Sequence, residues 1–126
     1  MGTRARSLQA RVSAWWRRRA MVSSLRPAER QLVTSIRAAR LTYLSRSKLA
    51  SLALACRENA EAGRRGIYIE AGCALGGSTI LLSRLKPAET ELRVYDVFGM
   101  IPPPSEEDPT AAHRRYETIS EGESEG

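Results

Sequence analysis

A chain of 126 residues with 42% hydrophobic and 27% charged content has material for one modest core. It holds no apolar run near the roughly 18 to 20 residues that a membrane-crossing helix needs, and no secretory apolar centre at its start. Its two cysteines, Cys56 and Cys73, stand too far apart for a CxxC pair, which points to a reduced, cytoplasmic compartment and to no metal site. The formal charge of +6 is unevenly spread: residues 1–66 hold 15 Arg and Lys against 3 acids, and residues 67–126 hold 5 against 11.

The first predicted element is a basic amphipathic helix over residues 6–24. Leu8, Val12, Trp15 and Trp16 recur at helical spacing, and Arg4, Arg11, Arg17 and Arg18 make its wet side. No zinc-finger, RRM or helix-turn-helix pattern accompanies the charge, so nucleic acid is not the expected partner. Pro27, Ala28 and Glu29 predict a second helix through Arg40. A third follows, with Leu44, Leu49, Leu52, Ala53 and Cys56 as its apolar face, Ser45 or Ser47 as its cap, and Gly63 and Gly66 at its end. IYI at 67–69 reads as a short buried strand, TILLSRL at 79–85 as a helix stopped by Pro87, and LRVYDVF at 92–98 as a second strand. Strand, helix, strand over some 30 residues is a βαβ unit with parallel strands, and the fold class is therefore α/β. A proline-rich loop and a last helix near AAHRRYETIS complete the chain.

Between the first strand and the fourth helix runs EAGCALGGST, residues 70–79. Gly72 permits a sharp turn and close approach of a ligand to the backbone; Gly76 and Gly77 open a helix whose N–H groups form a positive end. Ser78 and Thr79 suit a cap or a ligand donor. Asp96, 24 residues after Gly72, stands where an acid accepts both hydroxyls of a ribose. Two ligand classes share this plan. A dinucleotide site reads G-x-G-x-x-G, and here the second position is Ala74, whose methyl crowds a diphosphate, while Glu70 adds a repelling charge. S-adenosylmethionine brings a cationic sulfonium and amino group instead, toward which Glu70 is favourable.

With these residues in view, YIEAGCALGGSTILL resembles the first motif of class I S-adenosylmethionine-dependent methyltransferases. Together with LRVYDVFGMIPPP it is similar to the macrocin O-methyltransferase family, whose members share an E-x-G-x-x-x-G-G-S turn followed by a D-[ST]-F-x-G-[LI]-P segment. The resemblance spans roughly residues 40–120. It implies a basic helical segment at 1–39 and, at 40–126, the helical lead-in and first βαβ unit of a Rossmann-like methyltransferase sheet. It implies S-adenosylmethionine as cofactor, with Glu70, Gly72, Gly76, Gly77 and Ser78 around its methionine part, Asp96 on its ribose, and Val97 and Phe98 against its adenine. The methyl acceptor it implies is a sugar or another hydroxylated small molecule. Ala74, Leu75 and Val97 depart from the family pattern, which usually has Trp, Arg and Ser there.

In that family the catalytic base and any divalent metal ligands belong to later strands. The chain is therefore expected to be the N-terminal part of an enzyme, incomplete and inactive alone, with no catalytic residue assignable. The readings it competes with are an NAD-dependent oxidoreductase and a non-catalytic basic module for nucleic acid or anionic membrane. His113 on a polar helix, the acids Glu106, Glu107 and Asp108 after prolines, and Tyr43 beside Ser45 are weaker candidates, read respectively as solvated, as a helix start, and as a cap or cofactor cover.

Overall fold

A helical pair forms first along the chain, and its start is set by one carboxylate. In the computed structural model, which describes residues 19–122, helix α1 spans Pro27–Ala38. Pro27 occupies its first turn, where a missing N–H costs nothing, and Glu29 accepts the Arg26 N–H at 2.8 Å. The same Glu29 oxygen accepts from Arg57 Nη1 at 2.8 Å, with side-chain exposures of 19% for Arg57 and 7% for Glu29. The pair is thus largely withdrawn from water, and losing either partner would strand a charge. Of the helix predicted over 6–24, residues 19–23 are helical, and the rest lies outside the described residues.

Arg40, at φ 54°, takes the left-handed turn that ends α1. Helix α2 follows over Arg46–Glu61, with Ser45 as its cap, accepting the Lys48 N–H. Gly63, at φ 60°, turns the chain out of it. Strand β1 covers Ile67–Ala71, helix α3 Gly77–Leu85, strand β2 Glu91–Tyr95 and helix α4 Thr110–Ser120. β1 and β2 pair in parallel, Ile67 opposite Glu91 and Ala71 opposite Tyr95. The architecture is mixed helix and strand with a two-stranded parallel sheet. Among the described residues no helix is long and apolar enough to cross a membrane.

The core is helical. Leu25, Val33, Ile36, Leu49, Ala50, Ala53 and Leu81 form one buried cluster, ringed by partly buried Leu44, Leu52 and Leu85. Residues on both sides of the division at 39/40 contribute to it. The spacing in α2 sets this face: Leu49, Ala53 and Cys56 lie along one stripe, and the small Ala50 and Ala53 let α1 and α3 approach. At the sheet side of α2, the buried Cys56 Sγ–H donates to Tyr68 Oη at 3.6 Å. Burial, with the cysteine beside it, pushes the Tyr68 phenol up.

Three expectations change. β1 extends two residues beyond the predicted IYI, and it is not buried on both faces: Tyr68 and Glu70 face the helices, whereas Ile67 and Ile69 are 45% and 62% exposed on the other side. The helices that pack here lie on one face of the sheet only. α3 begins two residues early, at Gly77, with Gly76 as its left-handed N-cap. β2 ends at Tyr95 instead of Phe98, since the Asp96 carboxylate takes the Phe98 N–H at 3.1 Å and Phe98 turns to φ 49°.

Candidate functional site

The turn after β1 alternates in hand. Gly72, Ala74 and Gly76 have φ of 83°, 47° and 81°. Glycine enters this region without strain, so Gly72 and Gly76 are required by the backbone, whereas Ala74 holds it against a steric cost. Gly77 is required for another reason. It is buried, and a Cβ there would press on the Leu41 carbonyl and come within 2.8 Å of Ile36 Cγ2 and Thr42 Cβ. Its N–H donates to that Leu41 carbonyl at 2.8 Å, which moors the start of α3 to the α1–α2 connection.

Four backbone donors of the turn, those of Gly72, Ala74, Gly76 and Gly77, are engaged within the protein. Gly72 N–H donates to Tyr95 O and Gly76 N–H to Cys73 O, each at 2.8 Å. Ala74 N–H donates to Asp96 Oδ2 at 3.1 Å, while Asp96 Oδ1 accepts from Phe98 N–H at 3.1 Å. These two bonds, Ala74 first, hold the Asp96 carboxyl below its ordinary range. Each of its oxygens has accepted one hydrogen bond and retains capacity for another.

A second carboxylate stands at the end of the neighbouring strand. Glu70 Oε2 accepts from Thr79 Oγ1–H at 2.5 Å, both side chains half-buried. Cys73 sits between the acids; partial burial, then Asp96, then Glu70 push its thiol up. Two negative charges therefore flank the turn, and a cation is what the place suits electrostatically.

The C-terminal ends of the two strands thus gather Glu70, Gly72, Gly76, Gly77, Ser78 and Asp96. Ser78 is half-buried in the first turn of α3, and its hydroxyl has no hydrogen bond among the described residues. Val97 and Phe98 are 63% and 74% exposed just beyond β2. Phe98 is a bulky side chain in a left-handed conformation, a strain that concentrates at ligand sites. Sequence reasoning missed two partnerships, Thr79 with Glu70 and the Ala74 N–H with Asp96. The first depends on how α3 docks after β1 and the second on the parallel register, neither of which a local pattern states.

Elsewhere the candidates resolve into structural roles. Ser45 caps α2. Asp108 accepts from the Ser105 N–H and hydroxyl at 2.8 and 2.9 Å, closing a turn. His113 is half-buried on α4. Among the described residues no three His, Cys, Asp or Glu side chains converge as a metal set. Among the described residues several arginines of the basic half are stitched into the fold: Arg26 pairs with Glu61 at 2.6 Å, Arg57 with Glu29, and Arg37 donates to Leu44 O at 2.7 Å. Arg30 and Arg46 likewise donate to Leu25 O and Thr34 Oγ1. Clefts of about 550 and 240 Å³, sharing Arg64, Arg65, Gly66 and Thr90, lie at the N-terminal ends of the strands, away from the glycine turn. Comparison with protein-family models, curated proteins and solved structures finds no match to this chain.

Proposed function

We propose that this chain binds S-adenosylmethionine over the glycine turn and serves methyl transfer to an oxygen of a sugar or another hydroxylated small molecule, as part of a Rossmann-like methyltransferase sheet. The observation that carries the reading is the pair of carboxylates, Glu70 and Asp96, at the C-terminal ends of adjacent parallel strands on either side of a left-handed turn. Open α/β sheets bind ligands at that end. Asp96, held by two backbone donors yet able to accept two more hydrogen bonds, matches the two hydroxyls of a ribose. Glu70 faces the cationic methionine part, and Phe98 offers an exposed ring for the adenine.

The cofactor supplies an electrophilic methyl group; what the chain's residues supply is binding and orientation. The base that takes the acceptor's hydroxyl proton is not among the residues assigned here. The resemblance to macrocin O-methyltransferases leaves room for a divalent metal held by residues other than those of the glycine turn.

The turn is a poor cradle for NAD. A diphosphate needs unused N–H donors; those of Gly72, Ala74, Gly76 and Gly77 are spent on Tyr95, Asp96, Cys73 and Leu41, which leaves it the first turn of α3 at Ser78 and Thr79. The carboxylates would repel it as well. Against a basic nucleic-acid module stands the commitment of Arg26, Arg30, Arg37, Arg46 and Arg57 to acceptors within the protein; Arg4, Arg11, Arg17 and Arg18 lie outside the described residues. Calorimetric titration with S-adenosylmethionine and with NAD tests the choice. Asp96→Asn is expected to weaken S-adenosylmethionine binding about 10- to 100-fold, the worth of hydrogen bonds to a charged group. An unchanged affinity would remove Asp96 from the site, and binding of NAD alone would reverse the assignment.

A further inference from the structure

We infer that Thr79 is a positioning residue for charge selection: its hydroxyl fixes the Glu70 carboxylate so that the site favours a sulfonium ligand over the neutral thioether left after methyl transfer. The inference rests on the cofactor reading above and specifies what that site discriminates.

Glu70 is the penultimate residue of β1, opposite Val94, on the helix-facing side of the sheet. Thr79 is the third residue of α3. Their hydrogen bond at 2.5 Å joins strand end to helix start, and Glu70 Oε1 has no hydrogen bond among the described residues. A glutamate has three side-chain torsions, and at a half-exposed position an unheld carboxylate samples several rotamers among screening water. Threonine is a stiff donor, because its branched β-carbon restricts χ1 in a helix. The bond therefore takes up the ordering of Glu70 before any ligand arrives. Asp96 is likewise held in advance by the Ala74 and Phe98 N–H groups. Both charges are fixed, and fixed charges act on a ligand's charge without reorganising.

The chemistry makes that matter. As the acceptor oxygen bonds to the methyl carbon, the carbon–sulfur bond breaks, its electron pair stays on sulfur, and the acceptor's hydroxyl proton passes to a base. The sulfur passes from a positive sulfonium to a neutral thioether. The spent cofactor keeps its ammonium group but has lost the sulfonium charge, so a fixed Glu70 weakens product relative to substrate by the sulfonium's share of the attraction.

The test is calorimetric titration of the full chain and its variants with S-adenosylmethionine and with S-adenosylhomocysteine, read as the ratio of the two affinities. Thr79→Val keeps the shape and removes the donor; the preference for the sulfonium is expected to fall at least about threefold. Thr79→Ser restores a donor and should keep the preference. Glu70→Gln removes the charge while leaving an acceptor for Thr79, and should lower the preference further. A preference unchanged in Thr79→Val, an equal loss in Thr79→Ser, or an unchanged preference in Glu70→Gln overturns the inference while leaving the cofactor assignment standing. Failure of both ligands to bind the unaltered chain overturns the cofactor assignment, and the inference with it.

Discussion

Ala74 keeps a left-handed backbone, φ 47°, at a position where glycine would sit without strain. Relief of that conformation is worth about 1–2 kcal/mol, against about 0.5–1 kcal/mol for the extra freedom of glycine in the unfolded chain. Ala74→Gly is therefore expected to leave stability unchanged or raise it by up to about 1.5 kcal/mol, seen as a thermal melt that does not fall. A clear loss would mean that the methyl makes contacts outweighing its strain. The carboxylate holding that residue gives a second expectation. Since the Ala74 and Phe98 bonds depress the Asp96 carboxyl in the folded chain, their stabilisation is in place above the ordinary carboxylate pKa. It is lost as pH falls through the depressed native value. The Ala74 and Phe98 amide resonances, followed by NMR, should titrate together with a midpoint below the usual aspartate range; a midpoint at or above that range would remove the clamp. Glu70, Gly72 and Asp96 were legible in the sequence because acid, turn and acid recur at a known spacing. Thr79 was visible as a polar residue, but its partner was not, since the bond joins a strand to the helix that follows it.

Among the elements, α3 is the one whose place depends on a single missing atom group. Gly77→Ala puts a Cβ into the Leu41 carbonyl, Ile36 and Thr42, backbone and core side chains with little room to give. The cost expected for such overpacking is about 1–3 kcal/mol, measured by chemical denaturation. Gly72→Ala provides the contrast: open space surrounds its Cβ, so its penalty is the backbone strain of φ 83° alone. If Gly77→Ala melts like the unaltered chain, the close approach of α3 to the connection is looser than described. The sequence pattern identified α1, α2 and α4 within a few residues, because proline, serine and glycine mark helix ends locally. It placed the end of β2 too late, at Phe98, because a largely apolar run reads as strand until something removes its hydrogen bonds, and Asp96, within that run, does so by taking the Phe98 N–H. It read Gly77, with Gly76, as opening a helix with a positive end, and did not show that the space a Cβ would take at Gly77 is filled by Leu41, Ile36 and Thr42.

For the molecule as a whole, core and candidate site are built from different parts of the chain. The core belongs to α1, α2 and α3; the sheet rests on it by one face, and Ile67, Ile69 and Tyr95 are exposed on the other. The apolar sequence of β1 suggested burial on both sides, as is usual for parallel strands, and could not indicate which helices lie near enough to cover it. The bond from the Gly77 N–H to the Leu41 carbonyl, with Ile36 beneath, ties these two regions together. Deletion mapping is where that tie becomes treacherous. A shortened chain begun after Arg40 would keep Glu70, the glycines and Asp96, yet it would lack Leu25 and Val33 of the core and Ile36, which lies against the first turn of α3. Its failure to retain a ligand would be scored as proof that the N-terminal region touches that ligand, when what had been removed was the footing of a turn formed some thirty residues later.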